Sequence, residues 1–249
     1  IDNYRDGFLY FFFFLFVISG LIMLQPNISS GIMLIFISLV LVYAGGAKLK
    51  HILVSMLICG VVIGAAAMIF PHSRLRIFSY VNSITNGGDL NFQVKQALYS
   101  LGSGGIFGVG IGNSMQSNLF LPEAYGDFIF AILGEEFGLI GSIAVLVAYL
   151  VLLVCGILVA KKTKDQFGQL LAFGITISIV LYAFVNVAVT TGVIPTTGLP
   201  LPFISYGGTS LLFLCISVGI LINIAFTNHM RQTGVYYVPD QNPVKGFNR

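Results

Sequence analysis

Asp127, Glu135 and Glu136 fall within ten positions of one another in a chain of 249 residues that has only nine carboxylates. Acidic side chains at or inside an apolar segment are costly and by default mark a functional site. All three lie at the start of the long apolar run 128–160, just after Leu121-Pro122-Glu123. On a continuous helix the step from Asp127 to Glu135 is a rotation of about 80°, and Glu136 falls nearly opposite. Asp127 and Glu135 can then line one cavity while Glu136 anchors elsewhere. Asp127 also has a structural reading, as a cap that accepts a backbone N–H at the positive end of the helix dipole. The two roles can coexist.

A second group is basic and glycine-rich: Arg74 and Arg76, then Gln93, Lys95 and Gln96, then Gly102-Ser103-Gly104-Gly105 through Gly108, Gly110 and Gly112. Glycine loops bring backbone N–H groups close to an anion, and Arg offers bidentate contacts to phosphate. A phosphate-bearing ligand fits; a flexible turn with solvated charges is the plainer alternative. The spacing is neither a Walker loop nor a dinucleotide fingerprint. The third group lies in NVAVTTGVIPTTGLPLPFISYGGTS, residues 186–210. Pro195, Pro200 and Pro202 stop any helix, yet the residues between them are apolar. The segment should fold back into the membrane face or the protein interior, where non-helical backbone is tolerated only if buried in protein or lining a cavity. Thr196, Thr197, Ser205 and Tyr206 there can hydrogen-bond sugar hydroxyls or satisfy the local backbone.

The elements that must position these groups are membrane helices. The chain is 57% hydrophobic and 8% charged, with a mean hydropathy of +0.95. A soluble domain would carry about a quarter charged residues, and a disordered chain would be polar. The reading is an all-α, polytopic integral membrane bundle, one membrane domain over 1–249. Six apolar runs at about 8–24, 31–47, 52–71, 128–160, 168–194 and 209–227 each approach the roughly 20 residues a spanning helix needs. They leave a large extracytoplasmic loop at 72–127 and a cytoplasmic tail at 228–249. Orientation follows the retention of Lys and Arg on the cytoplasmic side: Arg5, Lys48, Lys50, Lys161, Lys162, Lys164, Arg231, Lys245 and Arg249 share one side, against Arg74, Arg76 and Lys95 on the other. Both termini are expected in the cytoplasm. The run 128–160 is too long for one simple span, so Gly134, Gly138 and Gly141 are the places for a bend or a close helix contact. A net charge of +3, with scattered basic residues, gives no case for nucleic acid. Cys59, Cys155 and Cys215 lie singly in apolar runs and suggest neither disulfide nor zinc.

LPEAYGDFIF at 121–130 followed by GEEFG at 134–138 resembles the signature of the SEDS proteins (shape, elongation, division and sporulation). PTTGLPLPFISYGGTS at 195–210 and LQPNISSG at 24–31 resemble two further motifs of that family, in the same order. The resemblance implies a glycosyltransferase that polymerises lipid II into peptidoglycan on the outer face of the bacterial cytoplasmic membrane. It also implies a class B penicillin-binding transpeptidase and other divisome membrane proteins as partners. The spacing GIGNSMQSNLFLPEAYGDF looks more like the division branch of the FtsW type, at the septum, than the elongation branch. By the same resemblance Asp127 is the catalytic residue: the base that takes the proton of a GlcNAc 4-hydroxyl as it attacks a MurNAc anomeric carbon and expels undecaprenyl pyrophosphate, with inversion. An ordinary carboxylate is a weak base, so this role needs a site that withholds water. Arg74, Arg76 and Lys95 are placed to neutralise the pyrophosphate. Gln93, Gln96, Ser103, Glu123, Glu135, Thr197, Ser205 and Tyr206 are the remaining substrate-binding candidates. No fixed cofactor is implied; a divalent cation, Mg2+ or Mn2+, could assist at the pyrophosphate, although the sequence has no metal-binding motif.

Two departures from the family pattern matter. Its members usually have ten spans, and the six here align with the last six. Asn27 stands where the family usually has Asp, which removes a charge while leaving a local hydrogen bond possible. Two other functions use the same residues. A flippase for the lipid-linked substrate also suits broken helices and intramembrane carboxylates, but it should need polar groups through the whole depth of a groove. A scaffold that recruits the transpeptidase would need only the helices.

Overall fold

The computed structural model describes residues 9–25, 27–85, 91–116 and 125–233, and these are helical with irregular connections. Six helices are apolar: α1 (Leu9–Leu24), α2 (Ile28–Ala44), α3 (Leu49–Ile69), α6 (Ile129–Lys162), α7 (Gln166–Thr190) and α8 (Gly208–Gln232). By length and composition α6, α7 and α8 can each cross a bilayer, while α1 and α2 are shorter apolar helices. The molecule is a multi-pass membrane protein. Local chemistry sets the helix ends. Asn27 caps α2, its side chain accepting the Ser30 N–H at 3.2 Å, so the expected local hydrogen bond survives the absence of an acid. Asp165 caps α7 through the Gly168 N–H at 2.7 Å. Lys161 and Lys162 occupy the last turn of α6, where cations meet the negative end of the dipole.

The segment 72–127, expected to be loop-like, contains two helices, α4 (Pro71–Thr85) and α5 (Phe92–Ser103). Pro71 opens α4, a position where its missing N–H has no intrahelical partner to lose. Asn91 caps α5 by accepting the Gln93 N–H at 3.1 Å. Helix α5 packs on α6 and α7, which also pack on each other, and α2 joins α1, α3 and α7. Val94 and Ala97 of α5 meet Phe128, Ala131 and Ile132 at the start of α6 and Val189 of α7 in one buried cluster. A second cluster, Phe130, Tyr149, Ile179, Ala183 and Leu201, ties the proline-rich segment to α6 and α7. The start of α6, where the acidic residues lie, is thus clamped between α5, α7 and the proline-rich connection.

Helix α6 is 34 residues long, and Gly138 interrupts it at φ +68°, ψ −164°. Of the three glycines singled out by sequence, this one is the break. Beyond a break the helix ladder fails, and residues 104–112 replace it. Val109 N–H donates to the Glu135 carbonyl at 2.9 Å and Gly110 N–H to the Glu136 carbonyl at 3.1 Å. In return Leu139 N–H donates to the Gly105 carbonyl at 2.9 Å and Ile140 N–H to the Ile106 carbonyl at 3.3 Å. In an unbroken helix Leu139 and Ile140 would have bonded to Glu135 and Glu136 themselves. The glycine loop is therefore spliced into the helix, exchanging hydrogen bonds with it residue for residue.

Candidate active site around Asp127

Residues 125–128 form a turn leading into α6. The N-cap is Phe128, which makes no side-chain cap bond, so Asp127 stands one residue ahead of the capping position. Its backbone is held from the opposite side of the bundle. Asn186 of α7, fully buried, donates one amide N–H to the Asp127 carbonyl at 2.7 Å and the other to the Leu199 carbonyl at 2.8 Å. The Ser205 hydroxyl donates to the Gly126 carbonyl at 2.6 Å and accepts the Leu201 N–H at 2.7 Å. Tyr206 N–H donates to the Tyr125 carbonyl at 2.9 Å, and the Tyr149 hydroxyl of α6 holds the Pro202 carbonyl. The Asp127 carboxylate is half-buried against Gly198, which has φ +76°; a Cβ built there would stand 3.3 Å from Asp127 Oδ2. The structure thus brings together two of the three sequence groups, the Asp127 turn and the proline-rich segment.

Among the described residues, two polar atoms of this neighbourhood have no partner. Because both Asn186 N–H groups face carbonyls, the amide orientation is fixed, and Asn186 Oδ1 is left buried and unpaired. Thr197 Oγ1, next in sequence to Gly198, is also buried and unpaired. Buried polar atoms are nearly always bonded, so each exception calls for an explanation. A site that waits for a ligand supplies one.

The basic residues divide. Arg76 of α4 is exposed and donates to the Thr196 carbonyl at 3.4 Å, and the Tyr80 hydroxyl one turn on donates to the Val193 carbonyl. Helix α4 therefore docks on the same segment that supports Asp127. Arg74 is exposed on that helix, and Gln93, Lys95 and Gln96 are half-buried on α5. Tyr206 is exposed, whereas Ser205 is engaged twice in holding the Asp127 turn and reads as a brace rather than a sugar contact. Glu123 lies outside the described residues.

Glu135 and the glycine loop depart from the expectation. Glu135 is buried, and its carboxylate accepts from Ser100 at 2.8 Å, from Ser114 at 2.6 Å and from the Met115 N–H at 3.1 Å. Three internal donors leave it an anchor for the loop, not a lining residue of the Asp127 site. The 80° separation assumed a continuous helix, and Asp127 precedes α6. Glu136 does anchor elsewhere, accepting the Gly112 N–H at 3.0 Å. With the N–H groups of Gly108, Val109, Gly110 and Gly112 all bonded within the protein, the loop is not an anion cradle. Ser103 is part of the same scaffold, donating to the Ser100 carbonyl at 2.8 Å. Asn186, Tyr80 and Tyr149 went unmarked by sequence reasoning; a lone amide inside the apolar run LYAFVNVAV was the available signal, since polar groups at that depth are expensive.

Behind Pro200 and Pro202 lies a cavity of about 510 Å3, lined by Leu41 of α2, Ile175 and Tyr182 of α7, and Phe213 of α8. It has the size of a small-molecule site and an apolar wall. Among the described residues no three His, Cys, Asp or Glu side chains gather as metal ligands.

A model of the FtsW, RodA and SpoVE cell cycle proteins matches residues 1–230. The chain belongs to the FtsW/RodA/SpoVE family. Stage V sporulation protein E of Bacillus subtilis is 38% identical over 90% of this chain and 62% of its own length. A probable peptidoglycan glycosyltransferase FtsW of Coxiella burnetii is 36% identical over 84% of this chain and 57% of its own. Among solved structures, a peptidoglycan synthase complex that coordinates polymerization and crosslinking superposes with a TM-score of 0.69 at 22% identity, over 90% of this chain and 63% of that one. The rod shape determining protein RodA of Thermus thermophilus gives 0.60 at 22% identity, over 90% and 59%. At that identity the likeness is one of fold. The chain spans about 60% of the length of the curated relatives it matches.

Proposed function

We propose that this family member is a peptidoglycan glycosyltransferase that polymerises lipid II on the outer face of the cytoplasmic membrane during division, with both described ends of the bundle in the cytoplasm. The observation that carries it is the Asp127 turn: its backbone carbonyls are held by Asn186, Ser205 and Tyr206, next to buried polar atoms that have no partner among the described residues. In the reaction the GlcNAc O4 of one lipid-linked disaccharide forms a bond to the MurNAc C1 of another. The C1–O bond to the pyrophosphate breaks, and undecaprenyl pyrophosphate leaves with the electron pair. Asp127 takes the hydroxyl proton and returns it to solvent, and a single displacement inverts the anomeric centre. Asn186 fixes the backbone that carries the carboxylate, while Arg76 and Arg74 stand on the α4 side to meet phosphate charge. The cavity behind Pro200 and Pro202 suits a polyprenyl tail. A divalent cation would have to be held mainly by the pyrophosphate, since the described residues build no cage for it, and none of these steps runs through it. The partners proposed are a class B penicillin-binding transpeptidase and other divisome membrane proteins; the likeness to a polymerizing and crosslinking complex supports the first.

The test is polymerisation of labelled lipid II by purified protein, with and without its cognate transpeptidase, for the native chain and Asp127→Asn in matched folded preparations. Loss of a general base costs on the order of 10²–10⁴-fold in rate, so Asp127→Asn should give no glycan strands while still binding lipid II. Equal polymerisation by the two proteins would remove Asp127 from the chemistry. Transport of lipid II across vesicle membranes without polymer would instead favour the flippase.

A further inference from the structure

The spliced loop carries an apolar surface that the Asp127 chemistry does not use. Phe107 and Ile111 are 81% and 77% exposed, and Ile106 and Met115 are also exposed. Between Lys95 and Glu123 the chain has no charged residue, which is unexpected for a loop bathed in water. Its depth can be read from α6, to which it is hydrogen-bonded. Lys161 and Lys162 mark one membrane boundary at the end of that helix. From the Gly138 break to Lys161 the helix rises about 35 Å, slightly more than the hydrocarbon thickness of about 30 Å. The break, and with it the loop, therefore sits at the opposite boundary. There Phe137, Leu139 and Ile140 of α6 are exposed as well, continuing the apolar belt of the helix into the loop.

We propose that residues 105–111 form an interfacial wedge whose apolar side chains, led by Phe107 and Ile111, seat in the acyl–headgroup boundary of the phospholipid bilayer. The splice is what makes this tolerable. Irregular backbone facing lipid would leave N–H and C=O groups unpaired, and here the N–H groups of Val109 and Gly110 and the carbonyls of Gly105 and Ile106 are bonded to α6. Seating these side chains in the boundary takes apolar surface out of water, and the stretch carries no charge to oppose it. Lipid is favoured over a protein partner because the surface is continuous with the apolar belt of a spanning helix and stands at its interfacial level.

The sequence has no tryptophan, so Phe107→Trp places a single indole reporter on the wedge. With no other protein present, the purified protein is reconstituted in phosphatidylcholine vesicles whose acyl chains carry bromines either near the headgroup or near the bilayer centre. The Trp emission should be blue-shifted, should lose most of its intensity to the shallow bromines and less to the deep ones, and should resist iodide. Quenching by iodide with no effect of bromine would overturn the wedge in favour of a solvated loop, and protection from both quenchers would overturn it in favour of a protein-covered surface. Ile111→Trp repeats the measurement at a second exposed position should the first variant fail to fold. The readout is position, not turnover, so the outcome is independent of whether the glycosyltransferase reading stands.

Discussion

The two non-helical regions of this bundle handle their polar groups in opposite ways. In the splice at Gly138 the broken ladder of α6 is matched by the glycine loop, bond for bond, and the buried Glu135 carboxylate has three donors. Around Asp127 the backbone is held as firmly, by Asn186, Ser205 and Tyr206, yet Asn186 Oδ1 and Thr197 Oγ1 are buried with no partner among the described residues. A satisfied polar network adds stability and specifies a unique arrangement, whereas an unpaired buried group costs about 1–3 kcal/mol. The first region is scaffold. The second holds unpaired groups of the kind that a bound substrate would satisfy. Density of charge and glycine in the sequence does not separate the two, since the scaffold region has the larger share of both.

That comparison breaks most visibly at Gly108. It has φ +80°, and a Cβ there would overlap the Glu136 carbonyl, so the strain cannot be relieved by a side-chain rotation. Gly108→Ala should lower stability by roughly 3 kcal/mol, combining positive-φ strain with displacement of the splice. Thermal unfolding in detergent, followed by helical circular dichroism, reads it. A melting point equal to that of the native chain would mean that the loop is not built into α6.

Asn186 sharpens the other half. Asn186→Ala removes the donors to the Asp127 and Leu199 carbonyls at once, and it also removes the orphan Oδ1, so the stability loss should be smaller, about 1–2 kcal/mol. The turnover should fall more than that suggests, on the order of tenfold or more, because Asp127 loses its alignment. Steady-state kinetics with lipid II should show the change in kcat rather than in KM. A loss confined to stability, with kcat unchanged in the folded fraction, would make Asn186 a scaffold residue like Glu135.

What could be read in the sequence follows the range of the interactions involved. Apolar runs find the spanning helices because hydrophobic length is a local property, and α6 at 129–162 and α7 at 166–190 lie close to the runs 128–160 and 168–194. That the run 128–160 must bend or tilt was legible for the same reason, since as a helix it would cover about 50 Å; that the break falls at Gly138, and not at Gly134 or Gly141, was not. Helices α4 and α5 were not. Their sequences mix polar and apolar residues, and long-range contacts place them, such as Arg76 on Thr196 and Val94 against Phe128. Glycine spacing was compatible with a close approach to the loop or with a flexible turn. It could not show that the approaching group is a helix carbonyl and not a phosphate, because both use the same N–H donors. Asp127 stands out as a candidate through its acid character and its motif, while the groups that hold its turn lie about sixty and eighty positions away, at Asn186 and Ser205.

Thr197 gives the smallest effect and the cleanest sign. Its hydroxyl oxygen is buried next to Gly198, without a partner among the described residues. Thr197→Val keeps the shape and removes the oxygen. If the hydroxyl contacts neither protein nor substrate, its removal relieves an unpaired group and leaves polymerisation unchanged. If it contacts substrate, the free protein should be as stable as the native chain or more so, by up to about 1 kcal/mol, while lipid II polymerisation weakens several-fold through KM. For a group like Ser100 or Ser114, bonded to Glu135 in the scaffold, the same kind of substitution can only destabilise. Opposite movements of stability and activity in Thr197→Val would therefore separate a waiting contact from a structural one. Parallel movements would place Thr197 with the scaffold.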